Sequence, residues 1–269
     1  MAGLQEHYSA RDIEARILDA LRAAGLDPER GLSAEELGAL DHFHTGGLRA
    51  SVELLELARI RAEERVLDIG AGLAGAARLL AARTGCRVDC VELSSDYCAG
   101  AVLLNRLTGL DDRIGVHLGS ALDLPFPDDS FDAAWMQNVG MNIADKRALY
   151  AEVRRVLRPG GRFAFQEMAA GDALPRYFPL PWASDPADSI LVSGEAMRSL
   201  LIECGFTAEL FEDTSDYHLS ANPTGAKPAA SGQLGLAVFV DDLARKAANA
   251  RRSLEEGQVR LVRGVFRAT

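Results

Sequence analysis

Val66-Leu67-Asp68-Ile69-Gly70-Ala71-Gly72-Leu73-Ala74-Gly75 runs from an apolar stretch into a glycine turn, and Glu92 closes the next apolar run. The spacing predicts a strand over 65–69 and a helix over 74–84. Glycines between them permit positive φ and let the backbone come close to a ligand at the helix start. An acid about 20 residues further on is placed to accept hydrogen bonds from a ribose diol. Together these features predict a doubly wound α/β domain built around a nucleoside cofactor.

Outward from this turn the chain alternates. Strands are predicted over 86–92, 113–118, 131–137 and 162–168, with helices over 95–108 and 145–157 between them. Helices of this length between strands imply right-handed crossovers and a mostly parallel sheet. Upstream, Ser9-x-x-Asp12 and Ser33-x-x-Glu36 are capping patterns that open two helices, and a third covers 48–58. Between them lies Asp41-His42-Phe43-His44-Thr45-Gly46-Gly47. Downstream, 169–192 breaks the rhythm with Pro175, Pro179, Pro181 and Pro186 among Tyr177, Phe178 and Trp182, which reads as a binding loop or lid. A helix over 194–204, a strand over 206–212, a polar loop through Pro223 and Pro228, a helix near 240–256 and a strand over 259–267 complete the chain.

Composition narrows the function. The formal charge of −10 and pI near 5.1 disfavour nucleic acid as a partner. The basic groups Arg154-Arg155-Arg158 and Arg245-Lys246-Arg251-Arg252 alternate with acids at helical spacing and read as solvated faces. No apolar run approaches the ~20 residues of a membrane span, and no secretory signal is evident. Cys86, Cys90, Cys98 and Cys204 form no Cys-x-x-Cys pair and lie near no histidine cluster, so neither zinc nor a disulfide framework is expected. A reducing cytoplasm fits best. Three lysines against many arginines, with abundant alanine, suggest a GC-rich bacterial source and make secondary metabolism plausible.

Gly70-x-Gly72-x-x-Gly75 read alone is the dinucleotide fingerprint, so NAD has to be weighed. About 65 residues with two capped helices precede it, whereas the fingerprint usually opens a domain. Asp68, two residues before the first glycine, would repel a pyrophosphate but suits a cationic amino group. Two later landmarks decide the matter: Gly119-Ser120-Ala121-Leu122-Asp123-Leu124-Pro125-Phe126-Pro127-x-x-Ser130-Phe131-Asp132, and Leu157-Arg158-Pro159-Gly160-Gly161-Arg162. With the glycine turn they resemble the class I S-adenosylmethionine-dependent methyltransferases, continuously from about 41 to 168. Within that superfamily the chain is most similar to the small-molecule branch of sarcosine/dimethylglycine, phosphoethanolamine and natural-product methyltransferases.

The resemblance implies a Rossmann-like, mostly parallel seven-stranded sheet with an antiparallel last strand and a helical N-terminal cap. It divides the chain into a cap over 1–47, a cofactor-binding core over 48–168, and an acceptor-site loop with the C-terminal part of the same domain over 169–269. It implies S-adenosyl-L-methionine as cofactor, S-adenosyl-L-homocysteine as product, and a small-molecule methyl acceptor. Cofactor contacts fall on Phe43, His44, Asp68, Gly70, Ala71, Gly72, Glu92, Leu93, Ser120, Ala121 and Gln137. Of these, Glu92 would hold the ribose, Leu93 the adenine face and Ser120-Ala121 the adenine edge. The chain departs from the family at Ser120, where Asp is usual, at Ala74, where a second Gly is usual, and at Asn142, where the phosphoethanolamine enzymes carry a catalytic His.

Methyl transfer is an in-line displacement that needs alignment more than acid–base help. A base is required only if the nucleophile must lose a proton. His44 is the leading candidate for that base, with Asn138 and Asn142 beside the transfer site. Tyr8, Glu167, Tyr177 and Trp182 are candidates for lining the acceptor pocket, the aromatic faces suiting a cationic amine or planar ring. The expected activity is methyl transfer to N, O or C. Two alternatives are a methyltransferase-fold cyclase or rearrangement enzyme, and an NAD-dependent oxidoreductase.

Overall fold

The computed structural model describes residues 12–42, 44–173, 177–221, 235 and 240–269. Seven strands form one sheet in the order β3-β2-β1-β4-β5-β7-β6: β1 Arg65–Ile69, β2 Arg87–Glu92, β3 Ile114–Leu118, β4 Phe131–Gln137, β5 Leu157–Ala170, β6 Phe206–Asp213 and β7 Val259–Ala268. β1 to β5 run parallel, and β7 inserts antiparallel between β5 and β6. The expected mostly parallel sheet with a reversed last strand is what the chain builds. Its strand order turns back between β1 and β4, and a crevice above their carboxyl ends is where a doubly wound sheet takes its ligand.

The helices, numbered along the chain, are α1 Ile13–Ala23, α2 Gly38–Asp41, α3 Gly47–Ala58, α4 Gly75–Thr84, α5 Ser95–Leu107, α6 Lys146–Val156, α7 Gly194–Glu203, α8 Ser215–Ala221 and α9 Leu243–Glu255. Successive strand residues point to opposite faces. On one face Val66, Val88, Ala133, Trp135 and Ala164 pack against α3 and α4 through Leu54, Ala58, Ala77 and Leu80. On the other, Leu67, Ala134, Met136, Phe163 and Phe165 pack against α6 and α7 through Leu149, Val153, Met197 and Leu201. Asp68, Gln137 and Gln166 therefore share the α3–α4 face, and Glu167 takes the other.

The N-terminal segment is held down at two places. Ile13 and Ile17 of α1 close on Gly100 of α5, where an added Cβ would lie 3.1–3.2 Å from both side chains. Asp41 at the end of α2 then receives two hydrogen bonds from the fully buried guanidinium of Arg78, which also donates to Asn105 Oδ1 at 2.8 Å. Gly75 lets this happen: an added Cβ there would meet the Asp41 carbonyl oxygen at 2.3 Å.

Local chemistry matches the sequence reading in most places and departs in three. The Ser33–Glu36 box forms reciprocally: Ser33 N–H donates to Glu36 Oε2 at 2.9 Å, and Glu36 N–H donates to Ser33 Oγ at 3.2 Å. At Asp12, by contrast, no side-chain cap forms on α1, and Ser9 lies outside the described residues. Secondly, β5 begins at Leu157 rather than 162. Leu157 pairs with Phe131 and Arg162 with Ala133, so the Arg158–Gly161 turn is drawn into the strand as a wide irregularity. Thirdly, the loop expected after β6 contains α8. Thr214 N–H donates to the Leu261 carbonyl and Leu261 N–H to Ser215 Oγ, so β7 organises the helix start. That tertiary anchor leaves no local signature.

The basic groups are engaged as solvated faces should be, Arg155 with Glu152 and Asp128, Arg251 with Glu255, and Arg252 with Glu256. Among the described residues no helix is long and apolar enough to cross a membrane. No group of three or more His, Cys, Asp or Glu side chains that could hold a metal occurs among them, and the four cysteines are free.

Candidate functional site

The glycine turn wraps over the end of β2. Gly70 N–H and Ala71 N–H both reach the Val91 carbonyl, at 2.8 and 3.2 Å. Gly70 has φ +66°, and an added Cβ would sit 2.5 Å from Val139 Cγ2, so this residue lets the β1 turn pass beneath the end of β4. Gly72 has φ +55° but faces open space, with no atom within 4 Å of an added Cβ. The first glycine is required by packing. The second leaves a cradle.

Two carboxylates flank that cradle. Glu92 accepts from Gly72 N–H at 2.9 Å through Oε2 and from Ser94 N–H at 2.8 Å through Oε1. Burial pushes its pKa upward against those backbone donors. Asp68 is almost fully buried, and its Oδ2 has no hydrogen-bond partner among the described residues. Burial, then the neighbouring Glu92 charge, raises its pKa to about 8, despite the Ala77 N–H and Arg78 acting the other way. A carboxyl left like this is costly unless a donor or cation completes it. The Gly119-Ser120-Ala121 turn is brought alongside, because Gly119 N–H donates to the Glu92 carbonyl at 2.9 Å. Ser120 Oγ accepts from Leu122 N–H at 3.1 Å, shaping that turn, and Leu93 is half-buried beside it.

The His-Thr-Gly-Gly turn arches over the ends of β4 and β5. Gln166 donates to the Thr45 carbonyl at 2.7 Å, and Asn138, itself at φ +55°, donates to Thr45 Oγ1 at 3.5 Å. His44 Nε2 lies 2.9 Å from Ser51 Oγ, and its Nδ1 lies 3.3 Å from the Thr45 carbonyl. His42 Nδ1 is 3.1 Å from the same hydroxyl. Ser51 donates to Gln137 Oε1 at 3.0 Å, and Trp135 Nε1 donates to that oxygen at 3.0 Å. Burial lowers the pKa of His44 to about 4 and that of His42 to about 3. Both rings are neutral at pH 7. Gln137 Nε2 and Asn138 Oδ1 have no hydrogen-bond partner among the described residues, like Asp68 Oδ2. Phe43 and Tyr8 lie outside the described residues.

On the other face the expected acceptor residues brace the structure. Glu167 Oε1 accepts from Val139 N–H at 2.8 Å and Gly140 N–H at 3.0 Å, and burial raises its pKa to about 7. Asn142 donates to the carbonyls of Trp182 at 2.7 Å and Asp188 at 3.0 Å. Lys146 donates to the carbonyls of Gly140, Ile143 and Ile190. Trp182 is buried with Met141, Met168, Leu180 and Leu261, its indole donating to Ser189 Oγ at 3.0 Å. Tyr177 is turned to α9, where its hydroxyl meets Glu256 and Arg252 stacks over its ring at 4.0 Å. The structure thus sets Asp68, Gly70, Ala71, Gly72, Glu92, Ser120, Gln137 and Asn138 at the carboxyl ends of β1 to β4 and in the turns that follow them, with His44 in the turn that Gln166 and Asn138 hold. Glu167 and Asn142 are engaged with backbone groups, Trp182 is buried, and Tyr177 faces Glu256. The sequence reading missed Ser51, Trp135, Thr45 and Gln166. The one available signal was a serine on the stripe of α3 otherwise filled by Leu54, Leu55 and Ala58.

The fold is similar to that of solved methyltransferase structures. The chain superposes on a geranyl diphosphate C-methyltransferase from Streptomyces coelicolor with a TM-score of 0.68 at 18% identity, covering 100% of this chain and 97% of that one. It superposes on phosphoethanolamine N-methyltransferase 2 from Haemonchus contortus with a TM-score of 0.68 at 18% identity, covering 93% and 59%. Residues 67–165, spanning β1 to the middle of β5, match a family described as Methyltransferase domain. In sequence it is 36% identical over 158 residues to a glycine/sarcosine/dimethylglycine N-methyltransferase of Actinopolyspora halophila, covering 59% of this chain and 28% of the relative. It is 34% identical over 136 residues to the methyltransferase GfsG of Streptomyces halstedii, covering 51% and 49%. The chain thus spans about half or less of the length of these curated relatives.

Proposed function

We propose that the protein is a methyltransferase that binds S-adenosyl-L-methionine in the β1–β4 crevice and passes its methyl group to N, O or C of a small molecule. The observation that carries this reading is the unsatisfied carboxyl of Asp68 beside the open cradle at Gly72, with Glu92 on its far side. Buried polar atoms are nearly always hydrogen-bonded, so three orphans at one crevice describe a ligand's complement. The residues present fit the cofactor. Asp68 would take its ammonium group, Glu92 its ribose hydroxyls, Gly70–Gly72 its close backbone approach, Leu93 and Ser120-Ala121 its adenine, and Gln137 its amino-acid end.

When bound, that molecule supplies an activated methyl group; the chain supplies alignment and dryness. Asn138, held at positive φ beneath Thr45, offers an oxygen acceptor at the end of β4. His44 has both ring nitrogens facing protein groups, which favours a positioning role over that of proton acceptor. Glu167, Lys146 and Asn142 hold the 138–143 turn and the 177–190 segment as a fixed wall on the acceptor side. We further propose a reducing cytoplasm, a bacterial source, a place in natural-product biosynthesis, and a small-molecule acceptor rather than nucleic acid. The four free thiols and acidic charge support this.

Titration calorimetry with S-adenosylhomocysteine and with NAD tests the cofactor. Saturable binding of the first and none of the second is expected. NAD binding without S-adenosylhomocysteine binding would overturn the assignment. Conversion of S-adenosylmethionine to S-adenosylhomocysteine in the presence of glycine derivatives or prenyl diphosphates then tests methyl transfer.

A further inference from the structure

Ser51 has one proton and three close polar neighbours: His42 Nδ1, His44 Nε2 and Gln137 Oε1. An indole N–H can only donate, so Trp135 fixes which end of the Gln137 carboxamide is oxygen. That oxygen cannot donate to Ser51, and the Ser51 proton therefore lies on the 3.0 Å line to it. His42 must then donate to Ser51 Oγ from Nδ1, whereas the neutral His44 ring has a single N–H shared between two neighbours, the Thr45 carbonyl at Nδ1 and Ser51 Oγ at Nε2. Each element follows from its fold position. Trp135 and Gln137 are two residues apart on one face of β4, and Ser51 looks down on them from α3. The hydroxyl is fully buried, so water does not substitute for any of these partners.

With its oxygen held twice, the Gln137 carboxamide can present only its NH2 group, and that nitrogen is buried without a partner among the described residues. Asp68 sits on the same sheet face, paired in register with Trp135. One group is an acceptor or anion and the other a pure donor, which is the complement of a zwitterion. We propose that Ser51 is a positioning residue that locks Gln137 as an obligate donor to the α-carboxylate of the cofactor's amino-acid end, opposite Asp68. This rests on the reading that the crevice takes S-adenosylmethionine, and it adds a residue outside the crevice lining whose hydroxyl sets the polarity of one wall.

The test compares S-adenosylhomocysteine with 5′-methylthioadenosine, which keeps the adenosyl thioether and lacks the amino acid. Gln137→Glu preserves an oxygen for Ser51 and Trp135 but replaces the donor by an acceptor. It should weaken S-adenosylhomocysteine about tenfold or more and leave 5′-methylthioadenosine within about twofold. Ser51→Ala should weaken S-adenosylhomocysteine about fivefold, again without touching the truncated ligand. A merely structural defect would weaken both alike. Independently of any variant, 15N-detected NMR of the wild-type histidines should show His42 as its Nδ1–H tautomer. The Nε2–H tautomer of His42, or equal losses for both ligands, would overturn the proposal. Unaltered S-adenosylhomocysteine affinity in both variants would do the same. Failure of the wild type to bind either ligand would instead overturn the cofactor reading.

Discussion

Binding of S-adenosylhomocysteine should release a proton, and Asp68 sets how much. In the free protein its carboxyl is buried beside Glu92 with a pKa raised to about 8, so at pH 7 about nine-tenths of molecules carry the proton there, and at pH 8 about half. An ammonium group arriving at Oδ2 favours the carboxylate and displaces that proton. Calorimetry in buffers of different ionisation enthalpy reads the number as the slope of observed against buffer enthalpy. The expected release is about 0.9 proton at pH 7, falling to about 0.5 at pH 8. Asp68→Asn should abolish the release and weaken binding. A slope of zero in the wild type with heat still evolved, or an unchanged slope in Asp68→Asn, would refute the assignment of Asp68 to the amino group.

The two crevice glycines should fail differently. Gly70→Ala, with positive φ and a 2.5 Å clash on Val139, should cost about 2–4 kcal/mol in urea unfolding, whereas Gly72→Ala should cost about 1 kcal/mol yet weaken S-adenosylhomocysteine about tenfold or more by filling the cradle. Asp41→Ala strands the buried Arg78 guanidinium and should cost about 3–5 kcal/mol; a loss under about 1 kcal/mol would show the pair to be dispensable. Stability against pH should be nearly flat between pH 5 and 7. His42 and His44, with lowered pKa values of about 3 and 4, bind fewer protons folded than unfolded, so their contribution is full above about pH 6.5 and lost as pH falls. Asp68 and Glu167, raised to about 8 and 7, contribute with the opposite sign, lost as pH rises. Asp68→Asn removes one opposing contribution, so its unfolding free energy should rise by about 2–3 kcal/mol from pH 5 to pH 7, and a flat profile would contradict the balance.

The strands, their direction and the glycine turn were legible because period-2 burial and strand-to-helix punctuation are local signals. Asp68 and Glu92 could be read from their distance to that turn. The Ser51 hub could not, because its partners are His42, His44 and, on β4, Gln137, and a mid-helix serine is usually an exposed one. Glu167 was read as facing the acceptor because it stands near the end of its strand, and Asn142 because it matches the position where the phosphoethanolamine enzymes carry a histidine. The structure spends Glu167's Oε1 on N–H groups of the 139–140 turn and Asn142's amide on carbonyls of the 182–188 segment, and no residue type announces such a debt to the backbone. Tyr177 was drawn toward the pocket by its aromaticity, but the carboxylate of Glu256, just past α9, was a better partner for its hydroxyl.

Arg78 stands on the helix that the glycine turn launches, and it is the same guanidinium that grips Asp41. Whatever stiffens that turn therefore stiffens residues 12–42 as well, and thermodynamic reciprocity makes the converse true. Amide hydrogens of α1 should exchange more slowly once the crevice is filled. On that outcome the segment would serve as a gauge of occupancy, readable at a distance.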